Sequence, residues 1–241
     1  MSDRAARVAE LEAYHRDEVA VCTRCPLSEG RTQVVVGSGD LSADLMFVGE
    51  APGYHEDAQG IPFVGASGKL LGTLLEGIGL TRDDVFVANV LKCRPPGNRD
   101  PQPAEIRECE PHLFRQVALL RPRLICTLGN FATKLLSGRP DGISRVHGHE
   151  LPIRIGGHAT LLYPLYHPAA ALYTRSMLST LEADFARIPG LLAGAAPDGG
   201  PAPARAEPPA PPVAVAPAAP ADATAGPPPG RVESDEQLGL F

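Results

Sequence analysis

Three short apolar runs, residues 44–49 (DLMFVG), 85–90 (VFVANV) and 124–128 (LICTL), each end in loop residues and are separated by stretches whose apolar positions recur at helical spacing. Runs of this length without alternation are what strands buried on both faces require, because neither side of the pleat meets water. A fourth strand is expected at residues 159–165. Between the runs, residues 67–79 place Leu70, Leu71, Leu74, Leu75 and Ile78 on one helical face. Residues 103–120 open with Pro and Glu, and proline suits a first turn because its missing N–H has no helical partner there anyway. Further helices are expected at residues 5–20, 130–136 and 177–188. Strand and helix taking turns predicts an α/β fold with a mostly parallel four-stranded sheet covered on both faces.

The pattern stops near residue 190. From 191 to 230, 31 of 40 residues are Pro, Ala or Gly, so the segment lacks the large side chains that would offset its ordering entropy. Three units are therefore expected: a catalytic domain over 1–190, a disordered linker over 191–230, and a terminal peptide over 231–241 in which apolar residues return after an acidic run. Such an island reads as a docking peptide. No stretch reaches the roughly 20 apolar residues that span a bilayer, and residues 1–12 show no apolar signal core. A cytoplasmic protein is the expectation.

In open α/β sheets, ligands sit at the carboxyl ends of the strands. Three polar motifs fall there: GEAPG at 49–53, Asn89, and His167 with Pro168. Glycines on both sides of Glu50 permit a sharp turn and close approach of a ligand to backbone amides. Glu50 reads as a carboxylate that orients or deprotonates water, or as a loop carboxylate capping amides. Phe63, held in GIPFVG, suits stacking on a flat heterocycle, although a core ring is the commoner fate of a Phe. Asn89 carries donor and acceptor in one plane and matches a nucleobase edge, or it finishes a strand with a turn. His167 could donate to an oxygen gaining negative charge, although an isolated His is more often at the surface or satisfied in a core.

The chain has five cysteines. Cys22 and Cys25 form C-x-x-C, and Cys93 and Cys109 follow at a wide spacing that favours a soft metal centre embedded in a larger domain, zinc or iron-sulfur. Cys126 lies in an apolar run and reads as core packing. The formal charge is −6. Residues 1–190 hold 20 Lys and Arg against 22 Asp and Glu, and residues 191–241 hold 2 against 6, so the tail carries −4 of it. Residues 92–123 are locally basic, with seven Lys and Arg against four acidic residues, a face that could bind phosphates or simply be solvated.

Taken together these residues resemble the iron-sulfur uracil-DNA glycosylases, family 4 of that superfamily, in bacteria and archaea. The likeness runs from Cys22 to Ile188: C-x-x-C with Pro26-Leu27 and EGRT at 29–32, GEAPG, Glu56-Asp57 before GIPFVG, Asn89 through KCRPP at 92–96, Asn98-Arg99, and HPA at 167–169. It implies a three-layer α/β/α sandwich, a [4Fe-4S] cluster on Cys22, Cys25, Cys93 and Cys109, and excision of uracil from DNA. Phe63 would then stack on the flipped uracil, Asn89 would bond its Watson-Crick edge, His167 would stabilise the departing anion, and Ala51 and Gly53 would give backbone contacts. Glu50 would orient the attacking water, with Asp57 or Glu56 as alternatives. Tyr54 or its loop would exclude the thymine methyl. Ser67, Arg94, Arg99, Leu172 and Tyr173 would contact DNA.

The chain departs from the family pattern at Ala169 and Tyr173, where a hydroxyl and a cation are lost near the strand-penetrating loop; Leu172 or Tyr173 would fill the gap. A related branch traps DNA covalently through a His after the second strand. Residues 94–103 contain no His, so turnover is expected. A redox protein and a non-catalytic uracil-DNA binder are the alternative readings. At the terminus, Gln237, Leu238, Leu240 and Phe241 in QLGLF resemble the peptide by which bacterial repair enzymes dock on the polymerase sliding clamp, which the linker would serve as a tether. A monomer is expected.

Overall fold

The computed structural model describes residues 3–194. In chain order these form α1 (Asp3–Tyr14), α2 (Leu27–Gly30), β1 (Ser38–Gly39), β2 (Leu45–Gly49), α3 (Tyr54–Gln59), α4 (Ala66–Glu76), β3 (Phe86–Asn89), α5 (Pro103–Leu120), β4 (Leu124–Leu128), α6 (Asn130–Ser137), α7 (Ile143–Val146), β5 (Leu151–Ile155), β6 (His158–Leu165), α8 (Pro168–Ala171), α9 (Arg175–Ala186) and α10 (Ile188–Gly194). A π-helical turn, His15–Val19, continues α1.

The sheet runs β1-β3-β2-β4-β6-β5. Its four central strands are parallel, as the apolar runs require. Two antiparallel edge strands make six where four were expected. β1 has only two residues, and β5 alternates exposed and buried positions with Pro152 among them. An edge tolerates a proline because one row of its backbone donors is unpaired anyway.

Side chains of the central strands alternate between two cores. Met46, Val48, Phe86 and Ile125 pack with Leu11 of α1 and Leu113 and Val117 of α5. Leu45, Phe47, Val87 and Cys126 pack with Leu71 and Leu75 of α4 and Leu181 and Phe185 of α9. This is the three-layer α/β/α sandwich. Cys126 is wholly buried in the second core. Phe47 stacks on Phe185 at 5.7 Å between centroids, and its truncation to Ala would cost about 3–5 kcal/mol. Leu191 and Leu192 of α10 pack on the same core, so helix continues to Gly194, past the point where the composition turns Pro- and Ala-rich. The rest of the expected linker and the QLGLF peptide lie outside the described residues.

Candidate active site

β2 and β3 bring Gly49 level with Asn89, and the chain beyond β3 stays attached to the GEAPG loop. Val90 N–H donates to Gly49 O (2.9 Å) and Leu91 N–H to Glu50 O (3.0 Å). Asn89 is buried, and its Oδ1 has no hydrogen-bond partner. A buried acceptor left unpaired costs about 1–3 kcal/mol, so one that lines a cavity is held ready for a ligand's donor. Gly49 makes room for it: a Cβ there would overlap Asn89 Oδ1 and come 2.6 Å from Phe63 Cζ.

Phe63 takes a left-handed backbone, φ 55°, and α4 presses on it so closely that a Cβ at Gly68 would collide with the Phe63 carbonyl. Its ring stacks on His167, centroids 5.8 Å apart and planes 29° from parallel. His167 caps α8 by accepting from Ala169 N–H at Nδ1 (3.1 Å). With Nδ1 accepting, the ring proton of the neutral imidazole belongs on Nε2. Burial also holds the His167 pKa below its ordinary value, which keeps the ring neutral.

These groups surround a cavity of about 460 Å³, also lined by Glu50, Ala51, Pro52, Gly53, Glu56, Ser67, Pro95, Asn98, Arg99 and Ala169. Burial raises the Glu50 pKa, and the charge of Asp100 adds to it. The lining of this slot brings together an aromatic ring, an amide, an imidazole and a carboxylate.

A model described as the uracil DNA glycosylase superfamily matches residues 36–188 of this chain. The chain belongs to that superfamily. It is 46% identical to the type-4 uracil-DNA glycosylase of Saccharolobus solfataricus over 177 residues, 71% of this chain and 82% of the relative. The type-4 enzymes of Sulfurisphaera tokodaii (45%; 72% and 81% covered) and Archaeoglobus fulgidus (45%; 71% and 88%) are comparably similar.

Within this superfamily member the three carboxylates near the GEAPG loop have different surroundings. Glu56 accepts from the N–H groups of Gly53 (3.1 Å), Val64 (3.0 Å) and Gly65 (3.1 Å), so both oxygens are engaged in tying the GEAPG loop to the Phe63 loop. Gly53 at the N-cap and Glu56 at the third helical position give the capping-box spacing, a signal present in the sequence. Asp57 is buried, accepts from Thr32 N–H (2.9 Å) and does not line the cavity. Glu50 lines the cavity, and its carboxylate makes no described hydrogen bond.

Tyr54 lies outside the lining; it is exposed under the Arg94 guanidinium, 5.2 Å from the ring centroid. Ala51, Pro52 and Gly53 of the loop before it line the cavity. Arg94 also donates to Asn98 Oδ1 (2.7 Å). Arg99 reaches the cavity while making a two-pronged ion pair with buried Glu105, 2.9 and 2.5 Å. Leu172 and Tyr173 stand exposed just after α8, Tyr173 at 90%. The basic face expected over residues 92–123 loses one member, because Lys92 is buried.

Cys93 and Cys109 are buried, Cys22 and Cys25 half-buried, and all four are free thiols. They lie close enough to influence one another. Burial pushes the Cys109 thiol up to about 11, with Cys93 and Cys25 contributing, and burial likewise raises Cys93, with Cys25 and Cys22 contributing. Lys92 N–H donates to Cys109 Sγ (3.2 Å), and Arg31 donates to Cys93 Sγ (3.3 Å) and to Cys22 O (2.6 Å). Among the described residues, no three His, Cys, Asp or Glu side chains are arranged to hold a single metal ion. N–H donors reach two of the four sulfurs, chemistry that suits a soft anionic group.

Proposed function

We infer that this protein hydrolyses the N-glycosidic bond of deoxyuridine in DNA, releasing uracil and leaving an abasic site, the first step of base excision repair. One observation carries the reading: the unpaired, buried Asn89 Oδ1 at the floor of a slot walled by Phe63 and closed by a neutral His167.

Extruding a base from the stack costs a few kcal/mol, which stacking on Phe63 and hydrogen bonds to Asn89 offset. Asn89 Oδ1 accepts the N3–H of uracil, and the amide nitrogen donates to O4. His167 presents Nε2–H to O2, where negative charge accumulates as the glycosidic bond lengthens. Glu50 orients the water that attacks C1′, and its carboxylate faces the cationic sugar that develops there. The loop of Ala51 and Gly53 crowds C5 and excludes thymine. Ser67, Arg94, Arg99, Leu172 and Tyr173 meet the DNA strand.

Cys22, Cys25, Cys93 and Cys109 would hold a [4Fe-4S] cluster. Held there, it would tie the N-terminal segment to Cys93 after β3 and to Cys109 of α5. Among the described residues no helix is long and apolar enough to cross a membrane; a monomer acting in the cytoplasm fits this role. Gln237, Leu238, Leu240 and Phe241 would dock on the sliding clamp.

The test is incubation of pure protein with a duplex carrying one uracil, followed by alkali. Strand cleavage at the uracil is expected. Retention of the duplex without cleavage would establish a binder instead, and a boiling-resistant adduct would establish covalent trapping.

A further inference from the structure

Lys92 is 2% exposed, one of the largest fully enclosed side chains in the domain. Its described hydrogen bonds go to no carboxylate. Nζ donates to the backbone carbonyl of Asn89 (2.8 Å) and to Gln116 Oε1 (2.6 Å). Its own N–H donates to Cys109 Sγ, and its carbonyl accepts from Val35 N–H (2.8 Å). Gln116 is fixed in turn, donating to Val36 O (2.9 Å) and to His15 Nε2 (2.8 Å). The ring of His15 stacks on Phe86 at the start of β3.

Burying an ammonium among neutral acceptors is costly. A methionine would fill the same space, so packing alone does not call for a lysine. What the ammonium adds is a clamp on the last carbonyl of β3, the residue whose side chain forms the floor of the slot.

We propose that Lys92 is a positioning residue for uracil recognition, its side chain joining Gln116 of α5, the helix that carries Cys109, to the backbone of Asn89. Sub-ångström placement of Asn89 decides whether both of its hydrogen bonds to a base form together. The residue next to Cys93 therefore sets the geometry of the base-reading amide. This rests on the uracil-excision reading above.

The experiment measures equilibrium binding to two duplexes, one with a non-hydrolysable 2′-fluorodeoxyuridine and one with a tetrahydrofuran abasic site. Wild-type protein, Asn89→Ala and Lys92→Met are compared, with iron content determined for each. Lys92→Met is expected to lose about tenfold in affinity for the uracil duplex and less than about twofold for the abasic one, with iron retained. A merely structural lysine would lower thermal stability and leave the ratio of the two affinities at its wild-type value, and that result would overturn the proposal. Where Lys92→Met fails to fold or to retain iron, Gln116→Leu decides: it leaves the lysine in place but frees it, and a selective loss on the uracil duplex is again expected. Wild-type protein that leaves a uracil duplex uncleaved would instead sink the uracil reading itself.

Discussion

The rings of Phe63 and His167 stack on one another although they are carried by the loop before α4 and the loop after β6. Each holds the other where a flat ligand has to enter. Phe63→Ala removes the stacking surface for the base and the backing of the imidazole together. Single-turnover excision is expected to fall by about a hundredfold in kcat/KM, about 2.7 kcal/mol, whereas Phe63→Tyr, which keeps the ring, loses little.

His167 sets a pH dependence of definite sign. Its pKa lies below the ordinary 6.5 because burial disfavours the imidazolium, so the neutral donor is the form present at neutral pH and is lost as pH falls through the lowered value. Glu50 loses its charge on the same acid side, because its pKa is raised. The single-turnover rate should therefore be flat from about pH 7 to 8.5 and decline below that range. A rate that climbs on acidification from pH 8 to 6 would mean that the imidazolium is the active form.

Glu50 also bears on stability. Its folded-state pKa exceeds its unfolded value, so below the unfolded value both states are protonated and nothing is lost, whereas above the folded value the native state carries the cost of a desolvated charge. Glu50→Gln is expected to raise the melting temperature at pH 7.5, with the advantage shrinking toward pH 4, and to slow excision by about 10²–10⁴-fold. Melting curves across pH check the first half; an unchanged Tm at pH 7.5 would contradict it.

Glu56 should behave in the opposite way. Its three backbone contacts make it a strut between two loops, and Glu56→Ala leaves three N–H groups to find water. A stability loss of about 1–3 kcal/mol is expected, together with a rise in KM as the GEAPG loop and Phe63 move independently. A kcat collapse with Tm and KM untouched would point to direct chemistry by Glu56.

The central architecture was legible because β2, β3 and β4 are buried along their whole length and so write themselves as short apolar runs, while β6 is continuously buried only over its last four residues. β5 escaped notice since Leu151–Ile155 is only half buried, and β1 is too short to carry a pattern. At the site, Glu50, Asn89 and His167 were legible from their places at strand ends and Phe63 from its constrained GIPFVG loop, and the structure lines one cavity with all four. Carboxylate chemistry alone could not rank Glu50, Glu56 and Asp57; the ranking lies in which backbone amides each one meets, a tertiary fact. Lys92 was counted as one more surface cation, because a lysine's burial leaves no trace in its neighbours' identities.

Removal of residues 237–241 should leave excision from free oligonucleotides unchanged and abolish capture on an immobilised bacterial sliding clamp. Persisting capture would place clamp contacts elsewhere in the chain.

The absent side chain at Gly49 has a practical reach for anyone redesigning base preference. Position 49 offers no variable volume, since even a methyl group would meet both the Asn89 amide and the Phe63 ring. Libraries aimed at larger or differently substituted bases should hold that position fixed and diversify the other lining positions Ala51, Pro52 and Ala169.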